Sequence, residues 1–206
     1  ERLAAVKSLF EQAGAPASDI AIDKYDEVEN LVVVKRGESA EKIVVGAHYD
    51  KVADGCGAVD NWTGQVALTH LYRTLRDVAL KKTLVFVAFG REEKGLVGSR
   101  AMAKAIPDAQ VAEYCAMINI DSLGLAAPQV ADNMSSKKLT EFAGGLAKEM
   151  AIPFGHAGIG RANSDSSSFV ARKIPAGTIH GLNNDWPKIL PSGRHQEASV
   201  NPAGGY

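Results

Sequence analysis

A chain of 206 residues in which 46% of the residues are hydrophobic has enough apolar material for one globular domain, and we expect residues 1–206 to form a single domain. The 23 basic and 24 acidic side chains give a net charge of −1, which excludes the polyelectrolyte character typical of proteins that bind nucleic acid or anionic membranes. No apolar run approaches the roughly 20 residues that a membrane-spanning helix needs.

The amino-terminal part of the sequence predicts one helix followed by strands. Four apolar side chains recur there at helical spacing: Leu3, Val6, Leu9 and Phe10. Gly14 and Pro16 end this helix. Residues 20–25 and 29–35 have the composition of strands, and the apolar, β-branched run at residues 43–45 predicts a third, buried strand.

The middle of the sequence alternates helices with buried strands. Residues 64–78 predict an amphipathic helix whose apolar face is formed by Ala67, Leu68, Leu71, Leu75 and Val78. Residues 83–89 and 114–120 are apolar on both faces, which is typical of central strands covered by helices on each side. Residues 129–133 predict a short strand or loop, and residues 176–179 a last core strand.

A second amphipathic helix precedes that last strand. Ser135 or Ser136 is its expected cap, and the helix runs to about Met150. Its apolar face is expected to consist of Leu139, Phe142, Leu146 and Met150. Together these elements predict an α/β protein with three layers, in which helices cover both faces of a mixed, largely parallel central sheet.

Three predicted strands are followed directly by side chains that bind metals or move protons. These side chains are His48 and Asp50 after residues 43–45, Glu92 and Glu93 after residues 83–89, and Asp121 after residues 114–120. Asp60 follows in a glycine-rich loop, and Thr63 is placed to cap the next helix. Because the carboxyl ends of parallel strands gather at one crevice, we expect these groups to lie together. An imidazole among carboxylates suits a hard-to-borderline metal ion.

Taken singly, each of these motifs has an ordinary structural explanation. H-x-D is a short pattern, and two glutamates after a strand could be a solvated helix start stabilised by the helix dipole. Two other histidines are given such an explanation here, because we expect His70 on a helix surface and His156 in an exposed loop. The metal site is therefore predicted from the motifs in combination.

The two cysteines say little about the redox compartment, whereas the start of the chain bears on localisation. Cys56 and Cys115 fall at opposite ends of the predicted sheet, so we expect two free thiols. The chain begins at Glu1 without a methionine or an apolar signal core. We therefore expect a mature or trimmed form of an exported protein, with the signal upstream.

Two stretches resemble the signatures of a known enzyme family. G-A-H-Y-D-K-V followed by G-A-V-D-N-W-T-G is similar to the first signature of the M28 family of zinc aminopeptidases. E-E-K-G-L-V-G-S is similar to the second, and the resemblance extends from about Asn30 through the rest of the chain. It implies the zinc-exopeptidase fold and hydrolysis of the first peptide bond of peptides with a free α-amine.

The resemblance also implies a role for each candidate residue. Two zinc ions are expected, with His48 and Asp121 on the first, Glu93 and His195 on the second, and Asp60 shared between them. Asp50 would accept the other N–H of the His48 ring and fix its tautomer. Glu92 would be the general base. The family also leads us to expect a cis peptide bond between Asp60 and Asn61.

Two positions depart from the family pattern. Residues 164–169 resemble the family's S-D-H-x-x-F turn, but Ser166 stands where the family has histidine. No substrate contact is therefore assigned to this position. His195 has the expected spacing from the preceding I-P dipeptide but lacks the usual Thr or Ser after it, so His180 is its rival as the last ligand. We favour His195.

Three alternative functions stay open. A glutaminyl cyclase on the same fold would have one zinc, D-S in place of Asp60-Asn61, and a tryptophan-containing insertion in the second signature, neither of which this sequence has. A non-catalytic binding domain would have lost metal ligands. A carboxypeptidase or dipeptidase would need a site for a C-terminal carboxylate, for which the candidates are Arg161, Arg172 and Arg194.

Overall fold

The structure, a computed structural model, describes residues 1–159 and 163–182. Its strands are β1 (Ile20–Tyr25), β2 (Val28–Lys35), β3 (Ser39–His48), β4 (Lys82–Phe89), β5 (Tyr114–Asp121), β6 (Gln129–Val130), β7 (Gly155–His156) and β8 (Ala176–His180). Its α-helices are α1 (Arg2–Gln12), α2 (Thr63–Leu75), α3 (Val97–Ala105), α4 (Lys137–Glu149) and α5 (Ser166–Ala171). Each helix in this described part of the chain is too short or too polar to cross a membrane.

The strands form one sheet in the order β1-β2-β4-β3-β5-β8-β6-β7. The four central strands, β4, β3, β5 and β8, run parallel to one another. Antiparallel pairs join β1 to β2 and β2 to β4 at one side, and β6 to β8 at the other. The expected mixed, largely parallel sheet is confirmed.

Strand β4 shows how the sequence builds a layer on each face of the sheet. Its side chains alternate between two cores, with Leu84, Phe86 and Ala88 in one and Val85, Val87 and Phe89 in the other. Helices α1 and α2 cover the first core, where the rings of Phe10 and Tyr72 meet Phe86 edge-on at centroid distances of 6.2 and 5.4 Å. Helices α3 and α5 cover the second through Met102 and Phe169. The three-layer prediction is therefore confirmed.

Two details of the predicted helices are wrong, the end of α2 and the cap of α4. Helix α2 ends at Leu75 and the chain turns, so Val78 lies beyond the helix and is exposed. Ser136 occupies the position before α4, but its hydroxyl accepts the Ala176 N–H at 3.0 Å and does not cap the helix. Ser135 likewise accepts the N–H of Thr178 at 3.1 Å. These two serines fasten the start of α4 to β8.

The prediction that the apolar face of α4 packs in the core is also wrong. The buried residues of this helix are Thr140 and Ala147. Phe142, Leu146 and Met150 are 67%, 43% and 59% exposed. The helix therefore turns Thr140 and Ala147 inward and these large apolar side chains outward.

This reversal predicts unequal effects of the same substitution at two phenylalanines. Phe142→Leu is expected to change the free energy of unfolding by less than about 0.5 kcal/mol, because the ring is largely in water. Phe169→Leu is expected to cost about 1 kcal/mol, because that ring is fully buried against Phe89. Urea unfolding of both variants measures the difference. Equal destabilisation would mean that the outer face of α4 is covered in solution.

Candidate metal centre

The strand order brings the predicted site residues together. β3 lies between β4 and β5, and His48 at its end is level with Phe89 at the end of β4. The chain leaves β4 through Gly90 and Arg91 into a short 3-10 turn, Glu92–Lys94. Asp121 ends β5 on the other side of His48. The crevice at the carboxyl ends of these parallel strands therefore holds an imidazole flanked by acidic groups.

His48 lies at the centre of this group and is only 1% exposed. Its Nε2 atom lies 3.0 Å from Asp60 Oδ1, 3.6 Å from Asp121 Oδ1 and 4.0 Å from Glu92 Oε2. Its Nδ1 atom lies 3.5 Å from Asp50 Oδ1. Burial acts to lower the pKa of His48, but the carboxylates of Asp121, Asp50 and Asp60 raise it well above its ordinary value. The surroundings of the ring therefore favour positive charge.

Three of the residues can offer ligand atoms to one ion. His48, Asp60 and Glu93 each provide one such atom, and these atoms lie within 4.8 Å of one another. Asp60 Oδ1 and Glu93 Oε1 are buried and have no aligned hydrogen-bond donor among the described residues. Buried carboxylate oxygens without donors are costly, and a divalent cation removes that cost. Nitrogen and carboxylate oxygen atoms in this arrangement fit zinc.

The ionised form of Glu93 is disfavoured in this arrangement. Burial raises its pKa to about 7, and the charge of Asp60 adds to the rise while His48 opposes it. A cation bound between Glu93 and Asp60 would reverse this shift, because it favours the ionised carboxylates. The chemistry of the donor set is therefore that of a metal centre.

Asp50 has a second function that sequence reasoning missed. Besides facing His48, it accepts the backbone N–H of Glu92 at 2.9 Å and that of Glu93 at 3.2 Å. Burial acts to raise the pKa of Asp50, but His48 and these two N–H groups lower it. One carboxylate thus holds both the imidazole and the turn that carries the two glutamates.

Asn61 fixes the loop that carries Asp60. The expected cis peptide bond between these two residues is present. The Asn61 side chain accepts the N–H of Gly64 and that of Ser122, both at 3.1 Å, and donates to Ile120 O at 3.0 Å. It thereby joins the start of α2 to the end of β5. The asparagine and glycine of D-N-W-T-G are needed together, because a Cβ at Gly64 would lie 2.4 Å from Asn61 Oδ1.

Thr63 does not cap α2 as the sequence led us to expect. Its hydroxyl donates to Val59 O at 2.7 Å and accepts the Leu123 N–H at 3.0 Å. The Gly64 N–H in the first turn of α2 is bound by Asn61 instead. Thr63 therefore ties the metal-side loop to the chain beyond β5.

Asp121 is held by two serines. Ser164 donates to its Oδ2 atom at 2.6 Å and Ser122 to its Oδ1 atom at 3.1 Å. Burial acts to raise the pKa of Asp121, but His48 and these hydroxyls lower it to about 2. The side chain is therefore an ionised carboxylate aimed at His48, as a metal ligand needs to be.

Glu92 and Asp165 are buried acids beside the ligand group. Burial raises the pKa of Glu92 well above its ordinary value, and the charges of Asp165 and Asp121 reinforce this while His48 opposes it. Asp165 is fully buried, its carboxylate oxygens have no hydrogen-bond partner among the described residues, and burial raises its pKa to about 7. Sequence reasoning gave Asp165 no function, although the S-D dipeptide that contains it was noted.

The structure shows the surroundings of two of the other candidates, His180 and Ser166. His180 is buried, with Nε2 3.3 Å from Ala157 O and Nδ1 accepting the Leu182 N–H at 3.3 Å, so backbone groups occupy both ring nitrogens. His195 lies outside the described residues and stays a prediction. Ser166 is buried and bonds Met134 O and Thr178, so its position faces the core.

The remaining histidines and the cysteines are exposed or free as expected, but His156 lies in a strand and not in a loop. His70 is exposed on α2. His156 is exposed at the end of β7, which pairs with β6, and its ring lies 3.1 Å from Asp132. Cys56 and Cys115 are free thiols.

The acidic cluster predicts how the stability of the metal-free protein depends on pH. Glu93 and Asp165 have folded-state pKa values of about 7, above the values of about 4 expected in the unfolded chain. Between these values the folded state keeps protons that the unfolded state has released, so stability falls as the pH rises. With a chelator present, the melting temperature is expected to drop by about 5 °C between pH 5 and pH 7. Zinc should reduce this drop, and a melting temperature that rises over the same interval would contradict the prediction.

The fold and the site define a class of protein: an α/β domain with a candidate metal centre at the carboxyl ends of its parallel strands. Comparison with known families identifies it further. The chain belongs to peptidase family M28, whose model matches residues 30–197. His195 lies within the matched range.

Individual relatives and solved structures agree with the family. Aminopeptidase YwaD of Bacillus subtilis (strain 168) is 30% identical over 99 residues, which cover 47% of this chain and 22% of the relative. The LapA aminopeptidase of Legionella pneumophila has a similar fold, with a TM-score of 0.75 at 23% identity over 88% of this chain and 54% of that chain. A glutaminyl cyclase from an Acidobacteriales bacterium has a TM-score of 0.72 at 20% identity, over 87% and 69% of the two chains. The two structural likenesses concern the fold alone.

Proposed function

We propose that this protein is a zinc-dependent aminopeptidase that hydrolyses the first peptide bond of peptides with a free α-amine. The observation that carries the proposal is the position of Glu92, which is buried beside the group formed by His48, Asp60 and Glu93 without belonging to it. Membership of peptidase family M28 supports the same function. The chain spans 22% of the length of the YwaD relative, so the activity of the whole protein is part of this proposal.

The proposed ligands follow the geometry of the site. Asp60 faces both His48 and Glu93, which suits a carboxylate shared by two ions. Asp121 would complete the first site and His195 the second. When bound, zinc supplies Lewis-acid chemistry, since it polarises a carbonyl group and lowers the pKa of water.

Glu92 is placed to move the proton. It would take a proton from the attacking water and return it to the amine that leaves. Its burial favours the protonated form, and the cations of a loaded site favour the ionised form. A carboxyl group balanced between these effects can accept a proton and release it again. Asp50, which accepts the Glu92 N–H, keeps this side chain in place.

The charge of the site explains the proposed requirement for a free α-amine. Six carboxylates lie in or beside the site: Asp50, Asp60, Glu92, Glu93, Asp121 and Asp165. With all of them ionised, two divalent cations leave two negative charges uncompensated. An α-ammonium group of the substrate would compensate one of them, whereas a blocked amine would not. The partners expected are therefore peptides with an unblocked N-terminus.

The test is hydrolysis of a panel of aminoacyl p-nitroanilides beside their N-acetylated equivalents, with zinc and with a chelator. Cleavage of the free-amine substrates alone, and only with metal, is the expected result. Equal cleavage of blocked and unblocked substrates would contradict the proposed specificity. Cleavage that persists with the chelator would contradict the proposed role of zinc.

Glutaminyl cyclase activity is tested in the same experiment by adding a glutaminyl peptide and measuring released ammonia. The fold likeness is the observation that makes this arm necessary. The local structure argues against cyclase activity, because the turn that begins at Glu92 leads directly into α3 at Val97. Gly95 and Leu96 both donate their N–H to Glu92 O at 2.8 Å, which leaves no insertion between the glutamates and α3.

The other two alternatives have less support. Arg172, one of the arginines considered for a carboxypeptidase, donates to Ala103 O, Ile106 O and Asp108, so its guanidinium is already engaged. Arg161 and Arg194 lie outside the described residues. A binding domain without catalysis would not need the buried Glu92 beside an intact ligand group.

A further inference from the structure

The loop between His48 and Asp60 accepts hydrogen bonds from an arginine that lies outside the family-matched region. Arg2 is the first residue of α1, and the family match begins at residue 30. Its Nε atom donates to Tyr49 O, its Nη1 atom to Cys56 O at 3.1 Å, and its Nη2 atom to Gly57 O at 3.2 Å. Tyr49 immediately follows His48, and Gly57 precedes Asp60 by three residues. One guanidinium therefore joins the two ends of the loop that separates His48 from Asp60.

The same side chain also contacts Trp62, which follows Asp60 by two residues in the chain. The Arg2 Cζ atom lies over the ring of Trp62, 4.9 Å from the ring centroid, in a cation–π arrangement. The backbone N–H of Trp62 donates to Gly57 O at 3.0 Å. This carbonyl oxygen therefore accepts one hydrogen bond from Trp62 and one from Arg2. Asp60 lies between two residues that Arg2 holds.

The absence of a side chain at Gly57 leaves room for the guanidinium of Arg2. The Gly57 φ of +68° is one that residues with a side chain rarely adopt. A Cβ placed there would lie 2.8 Å from Arg2 Nη1 and 2.8 Å from Lys51 Cβ. Only glycine lets the arginine reach the loop carbonyls at this position.

The contacts of Arg2 are different from those of an arginine that merely anchors a helix. No carboxylate in residues 1–159 or 163–182 forms an ion pair with it, and its partners are three backbone carbonyls and a ring. Helix α1 is attached to the rest of the protein independently, through the buried Val6 and Phe10. The rigid fork of a guanidinium suits three carbonyls at once, which a lysine cannot match.

We propose that Arg2 is a positioning residue of the metal centre, which fixes the loop of residues 49–57 so that Asp60 meets His48 and Glu93 at ligand distance. The inference rests on the metal centre of the proposed function. It adds that α1, although outside the matched family region, is a working part of that centre. Outer partners of metal ligands typically contribute about 10–100-fold to metal affinity.

The experiment compares zinc affinity in three variants by competition with a chromophoric chelator. Arg2→Ala is expected to weaken zinc binding at least about tenfold. Arg2→Lys, which keeps the charge and loses the fork, should lose most of the same affinity. The matched control is Arg76→Ala, which removes a 3.1 Å bond from α2 to Ala13 O at the other end of α1. This control should bind zinc within about twofold of the unmodified protein.

A second measurement separates positioning from folding. The sequence has two tryptophans, Trp62 and Trp186, so in a Trp186→Phe background the emission reports Trp62. Adding zinc should shift this emission in the parent protein and shift it less in Arg2→Ala. Melting temperatures of the metal-free forms should fall by similar amounts in Arg2→Ala and Arg76→Ala.

Four results would overturn the proposal. Unchanged zinc affinity in Arg2→Ala would remove any positioning role. Equal loss of affinity in Arg76→Ala would mean that loosening α1 anywhere is sufficient. If Arg2→Ala does not fold, Arg2→Lys decides, and parent-like affinity in it would reject the requirement for the fork. Failure of the unmodified protein to bind zinc would reject the proposed function itself, and this inference with it.

Discussion

Glu92→Gln is expected to lower kcat at least about 100-fold while the protein keeps its zinc. The amide is nearly the same size as the carboxyl group, so it preserves the packing of this buried side chain. It cannot accept the proton of the attacking water, which is the role proposed for Glu92. Since the ligand group consists of His48, Asp60 and Glu93, metal binding should survive the change.

Kinetics and metal content distinguish Glu92 from its neighbour. Glu93→Gln should lose zinc affinity, because the changed residue belongs to the ligand group. Glu149→Gln, an exposed position on α4, is the control and should leave both quantities unchanged. A Glu92→Gln variant that hydrolyses normally but loses zinc would mean that the roles of the two glutamates are reversed.

Much of the fold could be predicted because the local and long-range requirements agree in the central strands. The run at residues 83–89 is apolar on both faces, and β4 indeed alternates between two cores. Predictions failed where two elements compete for one side chain. Ser136 has the composition of a helix cap, but its hydroxyl accepts an N–H of the neighbouring β8, which no local pattern reveals. The exposure of Phe142 likewise depends on how α4 packs against the rest of the protein, which its own periodicity does not specify.

In the candidate site, too, some features could be predicted from the sequence and others could not. The convergence of His48, Glu93 and Asp121 was predictable, because parallel strands bring their carboxyl ends to one crevice. The supporting contacts join residues far apart in sequence: Asp50 bonds the turn at Glu92, and Arg2 bonds the loop that ends near Gly57. Spacing along the chain contains no signal for such contacts.

The remaining supporting contacts follow the same rule. Asn61 reaches Ile120 at the end of β5, and its only sequence signal is the D-N-x-x-G motif that contains it. Asp165 becomes notable only through its burial. The last proposed ligand, His195, lies outside the described residues and stays a prediction.

The crowding of acids at the crevice has opposite consequences in the metal-free and zinc-loaded states. Without metal, the ionised groups repel one another, and the pKa of Glu93 is raised to about 7 by burial and by Asp60. With metal, the same carboxylates are ligands, and the free energy of zinc binding adds to the stability of the fold. A single substitution should therefore change the two states in opposite directions.

Asp60→Asn is expected to weaken zinc binding at least about 100-fold, more than a change in an outer partner of a ligand costs, because the residue faces both His48 and Glu93. The amide keeps the size of the side chain and removes its charge. The metal-free variant should consequently melt at a higher temperature than the metal-free parent, since Glu93 loses the strongest of the repulsive charges around it. In saturating zinc the order should reverse, because the parent gains binding free energy that the variant lacks.

Calorimetric titration with zinc and thermal melts in chelator and in zinc measure these effects, with Asp132→Asn at an exposed position as the control. Parent-like zinc affinity in Asp60→Asn would exclude Asp60 from the metal centre, and a metal-free variant less stable than the parent would show that repulsion among the carboxylates is not what limits the metal-free fold.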